Sequence, residues 1–131
     1  MSYLLDTNTC VYAIKRWPTV IGRLQQLSPD DVAISAVTLA ELWFGARKSR
    51  KPASTRASVD AFLLPFTVLP FDPGAAEAYS EIRLELERAG QPIGERDLLI
   101  AATAVSRGLS VVTHNIGEFR RVPGIAVEDW V

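Results

Sequence analysis

Residues 32–48 read VAISAVTLAELWFGARK, a short apolar run followed directly by a longer segment of helical composition. Val32-Ala33-Ile34 has the length of a buried strand, and Ser35 is a preferred N-cap for a helix that we expect to reach about Lys48. A strand that passes directly into a helix is typical of the units that join parallel strands. The stretch therefore predicts an α/β fold.

The rest of the chain repeats this alternation of short apolar runs and helical segments. Four further strands are predicted at 3–5, 67–69, 109–113 and 125–127. Further helices are predicted from an Asn8 N-cap to about Arg16 and over 20–27, 54–64, 73–89 and 95–107. The pattern predicts one domain over residues 1–131, a three-layer sandwich with a central, mostly parallel five-stranded sheet flanked by helices. Ligands of such sheets bind at the carboxyl ends of the strands.

The composition excludes several classes of protein. Apolar residues make up 48% and charged residues 22% of the chain, which argues against intrinsic disorder. No apolar stretch approaches the ~20 residues that span a bilayer. The N-terminus lacks the basic region of a signal peptide and Cys10 is the only cysteine, so we expect a cytoplasmic protein. The net charge of −1 argues against nucleic-acid binding through bulk charge alone.

Three carboxylates and one amide interrupt otherwise apolar segments. Asp6 and Asn115 each follow a predicted strand, Glu41 lies within an apolar helix, and Asp97 lies in the first turn of helix 95–107. Each has a local explanation as well. Asp6 can cap a helix, and Asn115 can begin a turn. Glu41 can pair with an arginine, and Asp97 can complement the helix dipole.

The acids are more informative together than singly. Carboxylates that meet at one edge of a sheet repel one another unless a cation neutralises them. Oxygen ligands without Cys or His companions favour Mg²⁺ or Mn²⁺ over zinc. Asp6, Glu41 and Asp97 are therefore the candidate metal ligands. The single histidine and the lack of a glycine-rich phosphate loop argue against a catalytic triad and a nucleotide-binding motif.

The same residues stand in an ordered set of motifs that covers nearly the whole chain. The motifs are Leu4-Leu5-Asp6-Thr7-Asn8, Ser35-x-x-Thr38-x-x-Glu41-Leu42, Pro92-Ile93-Gly94-x-x-Asp97-Leu98-Leu99-Ile100-Ala101-Ala102, Val112-Thr113-x-Asn115 and Val122-Pro123-Gly124. This set resembles the PIN-domain ribonucleases, and within them the VapC toxins of bacterial type II (VapBC) toxin–antitoxin systems.

The resemblance implies a PIN-like sandwich and a metal-dependent endoribonuclease. Its expected substrate is RNA, either tRNA or ribosomal RNA, and its cleavage is expected to arrest translation. It also implies a VapB-type antitoxin that neutralises the toxin, a homodimer, and toxin–antitoxin hetero-oligomers. The family's acids correspond to Asp6, Glu41 and Asp97. Its fourth acidic position is held here by Asn115, and Glu118 is a candidate to supply that carboxylate instead.

The implied chemistry agrees with the residues. Mg²⁺, or Mn²⁺, held by Asp6 and Asp97 would activate a water for phosphodiester hydrolysis, with Glu41 completing the ligands, often through water. Thr7 and Asn115 would orient the ligands, and Thr7 would also contact the substrate. The alternative is a PIN-fold protein that is catalytically impaired and acts only by binding a partner, since Asn115 supplies no charge.

Two surface features predict contacts with macromolecules. The segment 47–56 is basic without any acid, and we expect four of its side chains to bind RNA phosphates: Arg47, Lys48, Arg50 and Lys51. The alternative is a solvated helix end. Trp43 and Phe44 are expected to bind an antitoxin helix in the groove of the hairpin 36–64, with a basic antitoxin side chain near the acids. Alternatively, they fill the core or a homodimer interface.

Overall fold

The computed structural model describes residues 1–131, which form five strands and seven helices. The strands are β1 (Tyr3–Leu5), β2 (Val32–Ser35), β3 (Thr67–Leu69), β4 (Ser110–Val112) and β5 (Val127–Glu128). The helices are α1 (Thr7–Ile14), α2 (Pro18–Gln25), α3 (Ala36–Arg47), α4 (Pro52–Leu63), α5 (Pro73–Arg88), α6 (Glu95–Arg107) and α7 (Ile116–Phe119). A 3-10 turn over Pro29–Asp31 leads into β2.

The five strands form one sheet in the order β3-β2-β1-β4-β5, and every neighbouring pair is parallel. Leu4 of the central strand lies opposite Ala33 of β2 and Val111 of β4. The chain adds β2 and β3 on one side of β1 and later adds β4 and β5 on the other. The strand order therefore reverses between β1 and β4, where open α/β sheets bind ligands at the carboxyl ends.

Helices cover both faces of the sheet because successive strand residues point to opposite sides. Leu4 and Val111 belong to a core built with α5 and α6. Leu5 and Val112 belong to a second core built with α1, α2, α3 and α4. The predicted three-layer α/β sandwich is confirmed, with a sheet that is entirely parallel.

Several helix starts differ from the prediction for local reasons. Asp6, and not Asn8, is the N-cap of α1, since Asp6 Oδ1 accepts a 2.8 Å hydrogen bond from the Thr9 backbone N–H. Helices α2 and α4 each begin two residues earlier than predicted, at Pro18 and Pro52. Proline suits the first turn of a helix because its missing N–H would find no partner there.

The last part of the chain differs most from the prediction. The one-turn helix α7 was not predicted, and β5 lies two residues beyond the expected start of the last strand. No helix combines the length and the hydropathy that crossing a bilayer requires.

Candidate active site

Asp6 lies at the carboxyl end of the central strand, at the point where the strand order reverses. Its backbone N–H donates to the Val112 carbonyl of β4 at 3.0 Å, and the Thr9 hydroxyl donates to the same carbonyl at 3.1 Å. The Asp6 residue is only 3% exposed. Both the cap of α1 and the adjacent strand therefore fix this carboxylate in place.

The environment of Asp6 disfavours its charge. Burial raises the pKa of Asp6 above its ordinary value, and the charge of Glu41 raises it further. Hydrogen bonds from Thr113 and Thr9 oppose that shift. A buried carboxylate near a second one is the setting in which a bound cation restores the charged form.

Glu41 projects from α3 towards α1 and α6, and its side chain is 22% exposed. The Thr7 hydroxyl donates to Glu41 Oε1 at 2.6 Å and lies 3.2 Å from the Thr38 hydroxyl. Arg96 Nη1 donates to Glu41 Oε2 at 3.2 Å. The arginine partner considered from the sequence is therefore present, and Thr7 orients the same carboxylate.

Asp97, in the first turn of α6, is connected to the short helix α7 through an amide. Asn115 Nδ2 donates to Asp97 Oδ2 at 3.2 Å and to Glu118 Oε2 at 2.5 Å. The Gly94 backbone N–H donates to the other Glu118 oxygen. Asn115 thus lies between two carboxylates, and one of them is the candidate replacement named from the sequence.

The pKa values of Asp97 and Glu118 are shifted in opposite directions. Burial, together with the hydrogen bond and charge of Glu118 and the charge of Asp6, raises the pKa of Asp97 to about 6. The hydrogen bond from Gly94 holds the pKa of Glu118 below its ordinary value. These contacts favour the protonated form of Asp97 and the charged form of Glu118, and a cation beside Asp97 would favour its charged form.

The donor set fits a magnesium-like ion through few direct ligands. No three Asp, Glu, His or Cys side chains are close enough to one another to enclose a metal ion. Mg²⁺ usually takes one or two carboxylates and keeps several waters, so such a cage is not required. Asp6 and Asp97 are near enough for one charge to raise the other's pKa, whereas Glu41 is occupied by Thr7 and Arg96.

Comparison with known proteins agrees with this geometry. A family model described as the PIN domain matches residues 3–125. The chain belongs to the PIN-domain family. Over 130 residues this PIN domain is 45% identical to the tRNA(fMet)-specific endonuclease VapC of Salmonella typhimurium, an alignment that covers 99% of the chain and 98% of that protein.

Two solved structures extend the likeness to three dimensions. The TM-score is 0.95, at 44% identity, with DNA-bound VapBC from Salmonella typhimurium, covering 100% of this chain and 99% of that one. It is 0.94, at 40% identity, with VapBC2 of Rickettsia felis bound to a promoter DNA fragment, covering 100% of both chains. The resemblance to VapC proteins is confirmed.

The basic residues of this PIN domain lie at the turn between α3 and α4, and the structure separates them. Lys48 lines a groove of about 640 Å³ together with Thr7 and Glu41. Arg47 lines a smaller cavity beside Trp43, while Arg50 and Lys51 line neither. Of the predicted phosphate-binding residues, only Lys48 shares a cavity wall with the acidic site; Arg50 and Lys51 stay on the solvated turn.

The two aromatic residues next to Glu41 differ in their surroundings. Trp43 Nε1 donates to Asp60 of α4 at 2.9 Å, and the Arg56 guanidinium lies 4.0 Å from the centre of the Trp43 ring. Trp43 therefore packs within its own chain, which favours the alternative that it fills the core, and its expected role as a partner contact stays a prediction. Phe44 is 60% exposed and lines the 640 Å³ groove.

Arg96 contacts the site although the sequence patterns do not predict it there. The signal was a charged triplet, Glu95-Arg96-Asp97, at the start of an otherwise apolar helix. Its contact with Glu41 depends on the packing of α6 against α3, which lie far apart in the sequence.

Proposed function

We propose that this protein is a VapC-type toxin, a metal-dependent endoribonuclease that hydrolyses phosphodiester bonds in RNA. The observation that carries the proposal is the buried Asp6 carboxylate at the strand-order reversal, close enough to Asp97 to raise its pKa. The substrate class is tRNA, and initiator tRNA(fMet) is the first choice, since the Salmonella typhimurium relative is named for it.

The residues of this chain divide the work of hydrolysis. Asp6 and Asp97 would hold the ion, with Thr9 orienting Asp6 and Asn115 orienting Asp97. Mg²⁺, or Mn²⁺, when bound would lower the pKa of a water and offset charge on the phosphate. Glu41 is positioned by Thr7 beside the acidic site, where it would bind ion-bound water. These contacts pre-orient the carboxylates, as productive metal chemistry requires.

Glu118 supports catalysis over a role in binding alone. The alternative of a catalytically impaired protein rests on the uncharged Asn115. The Asn115 amide donates to both Asp97 and Glu118, so the Glu118 carboxylate lies next to Asp97. This contact supports the proposal that Glu118 supplies the acidic group of the fourth position.

A VapB-type antitoxin is the proposed partner, since the similar solved structures are VapBC assemblies. The 640 Å³ groove along α3, with exposed Phe44 in its wall, suits an amphipathic helix. We propose that the toxin acts in the cytoplasm, forms a homodimer, assembles with the antitoxin, and arrests translation when released.

Cleavage of purified tRNA(fMet) tests the enzyme proposal. We expect cleavage with Mg²⁺ and none in EDTA. In Asp6→Asn the cleavage rate should fall by roughly 100-fold or more, as expected when a main metal ligand is lost. Asparagine is also a good N-cap, so this variant should keep α1 and its circular dichroism spectrum.

Glu87→Gln is the matched control, because Glu87 is an exposed acid on α5 whose partner is Arg83. It should cleave tRNA(fMet) at the wild-type rate. Full activity of folded Asp6→Asn, or undiminished cleavage by the wild-type protein in EDTA, would refute the metal-dependent site. Absence of cleavage by the wild type, with RNA binding retained, would favour the binding-only alternative.

A further inference from the structure

Arg96 makes the one ion pair that joins α3 to α6. Its Nη1 atom lies 3.2 Å from Glu41 Oε2. The Arg96 side chain is 73% exposed, whereas that of Glu41 is 22% exposed. An ion pair with one partner so exposed contributes little to stability, because solvent screens it. The guanidinium can therefore exchange this carboxylate for another anion at small cost.

The pair lies on the boundary between two cavities, and both residues line each of them. One cavity is the 640 Å³ groove along α3, which also contains Phe44 and Lys48. The other is a polar pocket of about 370 Å³ whose remaining walls are Gly94, Glu95 and Asp97. Arg96 is the only basic residue that lines this second pocket.

A polyanion faces repulsion at such a site. Asp6, Glu41, Asp97 and Glu118 all lie at this end of the sheet, and the whole chain carries a net charge of −1. A nucleic-acid strand that runs from the groove to Asp97 passes the Arg96 guanidinium at the boundary between the two cavities. Guanidinium groups bind phosphate oxygens in a two-pronged arrangement that lysine cannot match.

We propose that Arg96 is a substrate-binding residue that contacts a phosphate of the RNA strand and releases Glu41 when it does so. This rests on the proposed ribonuclease function. Before RNA binds, Glu41 keeps the guanidinium at the boundary of the two cavities. After the exchange, the Glu41 carboxylate is free of its basic partner and remains bound to Thr7.

Binding of labelled tRNA(fMet) in EDTA tests the proposal without cleavage. In Arg96→Gln we expect binding to weaken about 5- to 20-fold and the salt dependence to lose about one phosphate contact. Arg96→Lys should recover only part of the affinity, because it keeps the charge but not the planar fork. Arg83→Gln, which removes another exposed, paired arginine, should bind as the wild type does.

A charge-neutral double variant separates a direct contact from a field effect. Glu41→Gln combined with Arg96→Gln has the net charge of the wild type. If Arg96 contacts phosphate, the double variant binds several-fold more weakly than the wild type, and Glu41→Gln alone binds more tightly. If Arg96 is only the counter-ion of Glu41, the double variant binds as the wild type does, which overturns the proposal.

Cleavage by the same variants gives an independent readout. In Mg²⁺, Arg96→Lys should raise KM for tRNA(fMet) more than it lowers kcat, as expected for a contact made on binding. A fall in kcat with unchanged KM would contradict a binding role. If the wild type neither cleaves nor binds RNA, the ribonuclease function itself fails. If the wild type cleaves RNA and Arg96→Gln binds it as tightly as the wild type does, only the proposed role of Arg96 fails.

Discussion

Asn115 is uncharged, and its contacts show how an amide can still serve an acidic site. Its Nδ2 group donates to Asp97 and to Glu118, so it holds together two carboxylates that would otherwise repel each other. A carboxylate at position 115 could not donate these bonds. At the residue scale, the Asn115 amide thus orients Asp97 and Glu118, and Glu118 carries the negative charge that Asn115 lacks.

Replacement of Glu118 tests whether its carboxylate supplies the charge that Asn115 lacks. Glu118→Gln should lower tRNA cleavage about 10- to 100-fold, the usual effect of losing an outer partner of a metal ligand. Glu85→Gln, an exposed acid on α5, should leave the rate unchanged. Initial rates at fixed Mg²⁺ provide the measurement. Wild-type activity in Glu118→Gln would mean that Asp6, Glu41 and Asp97 suffice.

The raised pKa of Asp97 predicts a pH-dependent stability in metal-free protein. Its pKa is about 6 when folded against an ordinary 3.8, so the folded state holds the proton more tightly. The stabilisation is complete below about pH 4 and is lost as the pH rises through 6. Asp97→Asn removes this loss, so its melting temperature should exceed that of the wild type at pH 7 and match it near pH 4.

Thermal melts in EDTA between pH 4 and pH 7 measure the difference. A gap that shrinks as the pH rises would contradict the direction of the pKa shift. Glu95→Gln, in the same first turn of α6 as Asp97 but hydrogen-bonded to Tyr79, is a suitable control for removal of a neighbouring charge.

At the scale of elements, the α3–α4 hairpin places two adjacent aromatic residues in different surroundings. Trp43 is bound to Asp60 and covered by Arg56, whereas Phe44 faces solvent in the groove. Trp43→Ala should therefore lower the free energy of unfolding by about 2 kcal/mol, less than for a fully buried Trp. Phe44→Ala should change it by less than about 0.5 kcal/mol.

Antitoxin binding should show the reverse order. We expect Phe44→Ala to weaken the toxin–antitoxin affinity in a titration with purified antitoxin. Trp43→Ala should have the smaller effect when only its folded fraction is titrated. Equal affinity for wild type and Phe44→Ala would exclude the α3 groove as the docking site.

The sequence predicts elements well where the signal is local. Helix α5 begins after Asp72, whose carboxylate accepts from the Ala75 N–H at 2.9 Å, and the chain turns at Gly90 with φ of +66°. Both features were read from neighbouring residues alone. Asp6, Glu41 and Asp97 likewise stand out in the sequence because each breaks an apolar run, and their roles at the site stay predictions.

Long-range contacts were beyond such patterns. The bond between Arg96 and Glu41 spans 55 positions, and nothing in either local stretch encodes the other. The role of Trp43 depends on how α4 folds back against α3, which its apolar neighbours do not specify. Amphipathic patterns therefore identify which residues are buried, but not the partner that buries them.

At the scale of the whole molecule, one sheet joins two cores. Leu4 and Leu5 are adjacent and fully buried, yet they face opposite helical layers. Leu4→Ala and Leu5→Ala should each cost about 2–5 kcal/mol. If residues 1–131 are one domain, each variant should still melt in a single calorimetric transition at a lower temperature. Two transitions, with only one moved by each variant, would indicate layers that unfold separately.

The central position of β1 has a consequence for the timing of synthesis. Asp6 leaves the ribosome before the other residues of the acidic site, and the Val112 carbonyl that accepts from the Thr9 hydroxyl lies 103 residues beyond Thr9. At about 5–20 residues per second, roughly 5–20 s separate the two. Asp97 and Glu118 also arrive late. A nascent chain therefore contains the beginning of its acidic site long before it can complete it, so the order of the strands along the chain delays the assembled site until synthesis of the domain is nearly finished.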